Sequence, residues 1–280
     1  MTDPIDRPVD RPVDRAFALL DAWDVPHVAA AVVPSDGEVR LHGDVRKVFR
    51  IASVAKLFAG YALMIGVEEG AVALEDPAGP PGSTLRHLLA HVGGYGFDSD
   101  AAVVAAPGTR RVYSNRGIEE AAAHLERAAG MPYADYLRES VLEPLGLART
   151  ELRGSPAHGL HSTVEDLVAF ARELQSPALL ARETLAEMTS VQFPGLVGVL
   201  PGVGRFEPLD WGLTFERNFG RPGHWAGESP SRSAFGHFGG AGTFLWVDPV
   251  AGVAAVVLTD REFGPWALEV WPPFCAAVLA

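Results

Sequence analysis

The chain has 280 residues, 48% apolar and 21% charged, with a formal net charge of −12. That composition fits one large globular domain, or one domain with an inserted lobe, and the acidic balance argues against nucleic acid as a partner. A single cysteine, Cys275, excludes an intrachain disulfide framework and a thiol-bound zinc. No run of about 18 apolar residues suggests a membrane span. The first residues, MTDPIDRPVDRPVDRAF, lack the apolar centre of a signal peptide, so a cytoplasmic protein with no membrane partner is expected.

Residues 1–15 hold a tandem repeat, Asp6-Arg7-Pro8-Val9 and Asp10-Arg11-Pro12-Val13. Proline every fourth residue opposes a regular helix, so this stretch is expected to be a flexible tail before one domain over residues 16–280. Phe17 to Trp23 reads as a short helix. His27 to Val33 and Val39 to His42 read as strands joined by a turn at Ser35-Asp36-Gly37. A buried helix is expected over residues 54–70, then a break at Gly79-Pro80-Pro81-Gly82. A helix from Thr84 to His91, capped by Thr84 or Ser83, ends before Gly93-Gly94. Helical spacing covers Asn115 to Ala129 and Tyr133 to Val141, and Ser162-Thr163-Val164-Glu165 has the form of a capping box opening a helix from Glu165 to Leu174. Trp211 to Phe215, Thr243 to Val247 and Val253 to Thr259 read as strands, with a turn at Asp248-Pro249 and Gly252. Phe263 to Leu279 reads as a helix broken at Pro272-Pro273. Two strands near the start and three near the end predict an α/β (α+β) fold. It has one antiparallel five-stranded sheet built from both chain ends, flanking helices, and a helical lobe at about 77–165.

Within FRIASVAKLFAGYALM (residues 49–64), Ser53 and Lys56 interrupt an apolar stretch. At i and i+3 on a helix they share a face. A serine hydroxyl is a poor nucleophile until a neighbour takes its proton, and a lysine desolvated by apolar neighbours becomes neutral often enough to take it. The helix N-terminus adds free N–H groups and a positive partial charge near Ser53. Further along stand Tyr113-Ser114-Asn115 and Phe235-Gly236-His237-Phe238-Gly239-Gly240, the latter leading into a strand.

S-x-x-K, Y-x-N and H-x-G in that order resemble the serine hydrolases related to class C β-lactamases, DD-peptidases and family VIII esterases. The resemblance runs from about residue 27 to the C-terminus and takes in LRHLLAHVGG (85–94), EPLGL (143–147) and GLHSTVEDL (159–167). It implies a β-lactamase/transpeptidase-like fold with the site between sheet and lobe. It also implies Ser53 as the acylated nucleophile, Lys56 as its partner, and Tyr113 close to both as a base of lowered pKa or a proton relay. Asn115 would bond Lys56 and the substrate. The backbone N–H groups of Ser53 and Gly240 would form the oxyanion hole, with His237 and Gly239 alongside. Many relatives carry K-T-G where this chain has His237-Phe238-Gly239. Histidine is a weaker, pH-dependent cation and Phe238 lacks the threonine hydroxyl, so recognition of a substrate carboxylate is put in doubt. Val92-Gly93-Gly94 also departs from the serine-glycine pair common in relatives.

The expected reaction is hydrolysis of a small ester through an acyl-enzyme on Ser53, with no cofactor and no metal. β-Lactam, peptide or amide cleavage is the alternative, and acyl transfer to an alcohol is a further one. Trp211, Phe215 and Phe238 are candidates to line a pocket, and core packing explains Trp211 and Phe215 equally. A metal hydrolase finds some support in His87 and His91 at i, i+4, but Leu88 stands where H-E-x-x-H has its glutamate. No G-x-S-x-G elbow occurs. A catalytically silent binding protein of the same fold is the alternative of another class.

Overall fold

The computed structural model describes residues 12–98 and 100–280. Most of the expected tail therefore lies outside the described residues. Its last four residues are helical: α1 runs Pro12–Leu20, with proline at the position where a missing N–H costs least. Strand β1 (Val28–Pro34) turns through Gly37, whose φ of 103° favours glycine, into β2 (Arg40–His42). Then come β3 (Phe49–Arg50), a 3-10 turn (Ala52–Val54) and α2 (Ala55–Glu68). Helix α3 (Leu85–Leu89) begins after its cap, Thr84, and stops two residues short of His91, which has φ 57°. Strand β4 (Arg111–Val112) leads into α4 (Asn115–Ala129) and α5 (Tyr133–Leu137), which passes into a π turn over Arg138–Leu142.

Strands β5 (Glu151–Leu152) and β6 (Leu160–Ser162) precede α6 (Val164–Gln175). The cap of α6 is Thr163, whose hydroxyl accepts from the Asp166 N–H at 3.1 Å. This shifts the expected capping box by one residue, because Ser162 is taken up in the β6 pairing with Phe49. Helix α7 (Arg182–Thr189), β7 (Gly198–Leu200) and β8 (Gly204–Phe206) follow. The chain closes with β9 (Phe235–Gly239), β10 (Thr243–Asp248), β11 (Val253–Thr259) and α8 (Pro265–Val278).

The main sheet has the order β2-β1-β11-β10-β9, antiparallel throughout, so both chain ends build it as expected. Its membership differs from the expectation at one strand. Trp211 to Phe215 is no strand, because Thr214 sits at φ 66° and breaks extension; the next residue, Glu216, forms an isolated bridge to Gly236 of β9. The motif segment Phe235–Gly239 is the fifth strand.

Alternate residues serve two cores. Ala29, Ala31, Val33, Leu245, Val256 and Leu258 face a cluster with α2 and α6. Ala30, Val32, Phe244, Trp246, Ala255 and Val257 face a second cluster with α1 and α8. Helix α8 runs unbroken through Pro272 and Pro273. Trp271, Phe274 and Cys275 are buried on both sides of the pair, and their burial offsets the two missing hydrogen bonds. Among the described residues, no helix is long and apolar enough to cross a membrane.

Candidate active site

The 3-10 turn presents Ser53 at the mouth of α2, and Ala52 just before it is held at φ 46°, a costly conformation for a residue with a Cβ. One turn on, Lys56 is fully buried. Its Nζ donates to Ser53 Oγ at 3.1 Å, Asn115 Oδ1 at 2.7 Å and the Ala157 carbonyl at 2.9 Å. It also lies 4.8 Å from the centre of the Tyr113 ring. Burial pulls its pKa from 10.5 to about 7, against the opposing charge of Glu119. A neutral amine keeps two donors and gains one lone pair. Two of its partners can only accept, so the lone pair has a single hydrogen to receive, that of Ser53.

Asn115 enters the site because it opens α4, immediately after Ser114, whose hydroxyl caps that helix by accepting from the Gly117 N–H. Tyr113 precedes the cap and is buried. On the opposite wall His237 is buried on β9, and its Nδ1 lies 2.6 Å from the Phe238 carbonyl. A carbonyl can only accept, so Nδ1 carries the hydrogen and Nε2 accepts the one from the Tyr113 hydroxyl at 3.2 Å. Burial, and then the charge of Lys56, pull the His237 pKa down to about 3. His237 is thus a neutral imidazole, and the expected pH-dependent cation is replaced by a hydrogen-bond acceptor. Tyr113 is corrected in the same way. Its pKa is raised by burial rather than lowered between two cations, although a hydrogen bond with Ser53 works the other way.

Gly239 packs where a Cβ would drive into the Ile51 carbonyl oxygen, and the Thr243 hydroxyl bonds that same oxygen at 2.9 Å. Strand β9 is thereby fastened against the Ser53 turn. Gly240 follows at the exposed β9–β10 turn, with open space beside it. The structure thus brings Ser53, Lys56, Tyr113, Asn115 and His237 into one bonded group, with Gly239 seating the wall that carries His237 and Gly240.

Trp211 packs on this group, 5.5 Å from the His237 ring and 5.8 Å from Tyr113. Phe215 instead stacks edge-on against Phe235 in the larger core, and Phe238 points to the other face of β9 against Phe263 and Trp225. His87 and His91 part company: one lies 4.7 Å from the Phe193 ring, the other 4.6 Å from Tyr113. Among the described residues, no group of three or more His, Cys, Asp or Glu could hold a metal.

Three contributors escape sequence reasoning. His91 is buried against Tyr113 with Nε2 unpartnered, and its Nδ1 accepts from the Ser114 N–H. Its sequence signal, the i, i+4 spacing with His87, points toward a metal instead. Glu119 acts on Lys56 through its charge and holds the Ser155 hydroxyl; its spacing of four from Asn115 is a usable signal. The Ala157 carbonyl has no side-chain signal at all.

The family model described as Beta-lactamase matches residues 13–279. A β-lactamase from Mycobacterium bovis superposes with a TM-score of 0.92 at 49% identity, covering 94% of this chain and 98% of that one. The D-alanyl-D-alanine-carboxypeptidase/endopeptidase AmpH of Escherichia coli (strain K12) is 26% identical, over 82% of this chain and 76% of its own length. Simvastatin synthase from Aspergillus terreus shares the fold alone, at 16% identity with a TM-score of 0.80 over 97% of this chain and 99% of that one. Together with the antiparallel five-stranded sheet, these matches make the chain a member of the β-lactamase family of serine hydrolases.

Proposed function

We propose that this protein hydrolyses small esters through an acyl-enzyme on Ser53. The observation that carries this reading is the buried Lys56 amine, 3.1 Å from Ser53 Oγ and with its pKa pulled to about 7. Lys56 takes the Ser53 proton as Oγ attacks the ester carbonyl. The backbone N–H groups of Ser53 and Gly240 receive the developing oxyanion. Tyr113, kept neutral by burial and anchored on His237, gives its hydroxyl proton to the departing alcohol and takes in exchange the proton that Lys56 removed from Ser53. Asn115 holds Lys56 in line, and water attacks the acyl group by the reverse of these steps.

The neutral His237 favours an ester over a β-lactam or a peptide terminus. No cation stands at that position to hold a carboxylate beside the oxyanion hole. The single cysteine, Cys275, is buried and free, which suits a reducing compartment such as the cytoplasm.

The test is intact-protein mass after incubation with a fluorophosphonate, for wild type and Ser53→Ala, followed by turnover of p-nitrophenyl butyrate. One adduct that vanishes in Ser53→Ala, together with ester turnover, supports the reading. A folded wild type that is neither labelled nor active would point to a catalytically silent binding protein.

A further inference from the structure

Beside Tyr113 lies a cavity of about 420 Å³ whose other walls come from the loop carrying Phe97, from β4, and from β7 with its following turn to Arg205. Two of its apolar walls are unusually open to solvent for their type: Phe97 is 45% exposed and Val199 56%. Phe97 lies nearly parallel to the Tyr113 ring at 5.8 Å, so the apolar wall is continuous with the group that holds Ser53.

The charged lining is all of one sign. Arg110, Arg111 and Arg205 line the cavity, and no Asp or Glu does, although acids outnumber lysine and arginine 35 to 23 in the chain. Arg111 is committed to structure, because its guanidinium donates to the carbonyls of Leu209, Ala90, Gln192 and Phe193. Arg110 has no hydrogen-bond or ion-pair partner among the described residues. Among the described residues the Arg205 guanidinium reaches only Glu207, at 3.3 Å, with both side chains mostly exposed, a pairing of little strength. Two arginines are therefore available at the rim of an apolar slot that begins at Tyr113.

We propose that this slot receives the leaving-group side of the substrate, and that the substrate class is an ester whose alcohol part carries an apolar stem ending in an anionic group, held by Arg110 and Arg205. The proposal rests on the serine-esterase reading. The leaving-group side follows from Tyr113, which forms the inner wall and passes the proton to the departing oxygen. It also moves anion recognition away from the position of His237, which is neutral, to a separate pair of cations across the site.

The experiment compares kcat/KM for 3-carboxyphenyl butyrate and phenyl butyrate within each enzyme, so that differences in overall activity cancel. The expected result is a ratio that falls by about five- to tenfold from wild type to Arg110→Gln/Arg205→Gln, as two partly exposed ion pairs are lost. Arg110→Glu is expected to lower it at least as far. Both residues are on the surface, so circular dichroism melts should match wild type. Mono-p-nitrophenyl adipate against p-nitrophenyl hexanoate places the carboxylate on the acyl side instead, and its ratio should stay within about twofold across the same variants.

An unchanged 3-carboxyphenyl ratio, with phenyl butyrate still turned over, would overturn the proposal and leave the esterase reading standing. An effect confined to the adipate pair would overturn the leaving-group assignment. A wild type that cleaves neither phenyl ester and takes no fluorophosphonate would bring down the esterase reading, and this proposal with it.

Discussion

Lys56 is the residue at which burial becomes chemistry. Its ammonium is taken out of water entirely, and three oxygens compensate it only in part, so the neutral amine is favoured from about pH 7 upward. As the base of the proposed reaction Lys56 can act only when neutral, so kcat/KM for a neutral ester should rise with pH through about 7 and level off above it, as a pH–rate profile will show. The same shift affects stability. Between about 7 and 10.5 the unfolded chain holds a proton on Lys56 that the folded chain has lost, so folding is increasingly favoured as pH rises through that window and gains nothing further from this group below it. The slope approaches about 1.4 kcal/mol per pH unit. Lys56→Met should remove that slope from urea unfolding at pH 7 and pH 9.5, and should nearly abolish Ser53 labelling. Tyr113→Phe keeps the ring against Trp211 and His91 but loses the hydroxyl shared by Ser53 and His237. Its turnover should fall about 10²- to 10³-fold with Tm almost unmoved. The serine–lysine pair was legible because a hydroxyl and an ammonium are anomalous in an apolar run. The sign of the Tyr113 shift was not, because it depends on how completely distant parts of the chain bury the Tyr113 ring.

At the level of elements, the decisive joint is between β9 and the 3-10 turn. Gly239→Ala would push a methyl group into the Ile51 carbonyl and the Thr243 hydroxyl, so β9 must retreat from Ser53. The expected cost is about 1–3 kcal/mol of stability with a larger loss of activity, read by urea unfolding and ester turnover. Gly240→Ala is the control for stability, since its Cβ would enter open space and leave Tm unchanged. This joint explains why one strand was misread. Two glycines in Phe235–Gly239 weaken its strand signal, yet they are what let it approach its neighbours: Gly236 lies against Trp246 and Gly239 against Ile51. Trp211 to Phe215 carries the better apolar alternation, but Gly212 and the positive φ of Thr214 turn it aside to pack on Tyr113 and His237. Similarly, Pro272-Pro273 reads as a break from local rules alone, while Trp271 and Phe274 gain enough tertiary burial to keep α8 whole. Motif order and the strands with plain alternation were visible in the sequence; elements decided by contacts distant in the chain were not.

Across the whole molecule, the sheet separates two cores and the site draws on both. Helix α2, which carries Lys56, belongs to the larger core, where Phe58 is buried and stacks on Phe170 with centroids 4.0 Å apart. Tyr113 and Trp211 belong to the second, whose far part surrounds Trp271: its ring lies 5.0 Å from Phe244, 5.3 Å from Phe263 and 5.8 Å from Trp225. Phe58→Ala and Trp271→Ala remove comparable buried aromatic surface, and each should cost about 3–5 kcal/mol in urea unfolding. Their effects on chemistry should differ. Phe58 stands two residues after Lys56 on the same helix, so the cavity it leaves lets α2 shift relative to Asn115 and Ala157. Trp271 is separated from Ser53 by the sheet, and the strands between are held by a full antiparallel ladder. Measured well below both melting transitions, fluorophosphonate labelling should be slowed at least tenfold in Phe58→Ala and remain within about threefold of wild type in Trp271→Ala, because losses in a packed core fall off with distance. Equal slowing in both would mean that the sheet transmits strain between its faces, and that the alignment of Ser53 with Lys56 depends on both cores together.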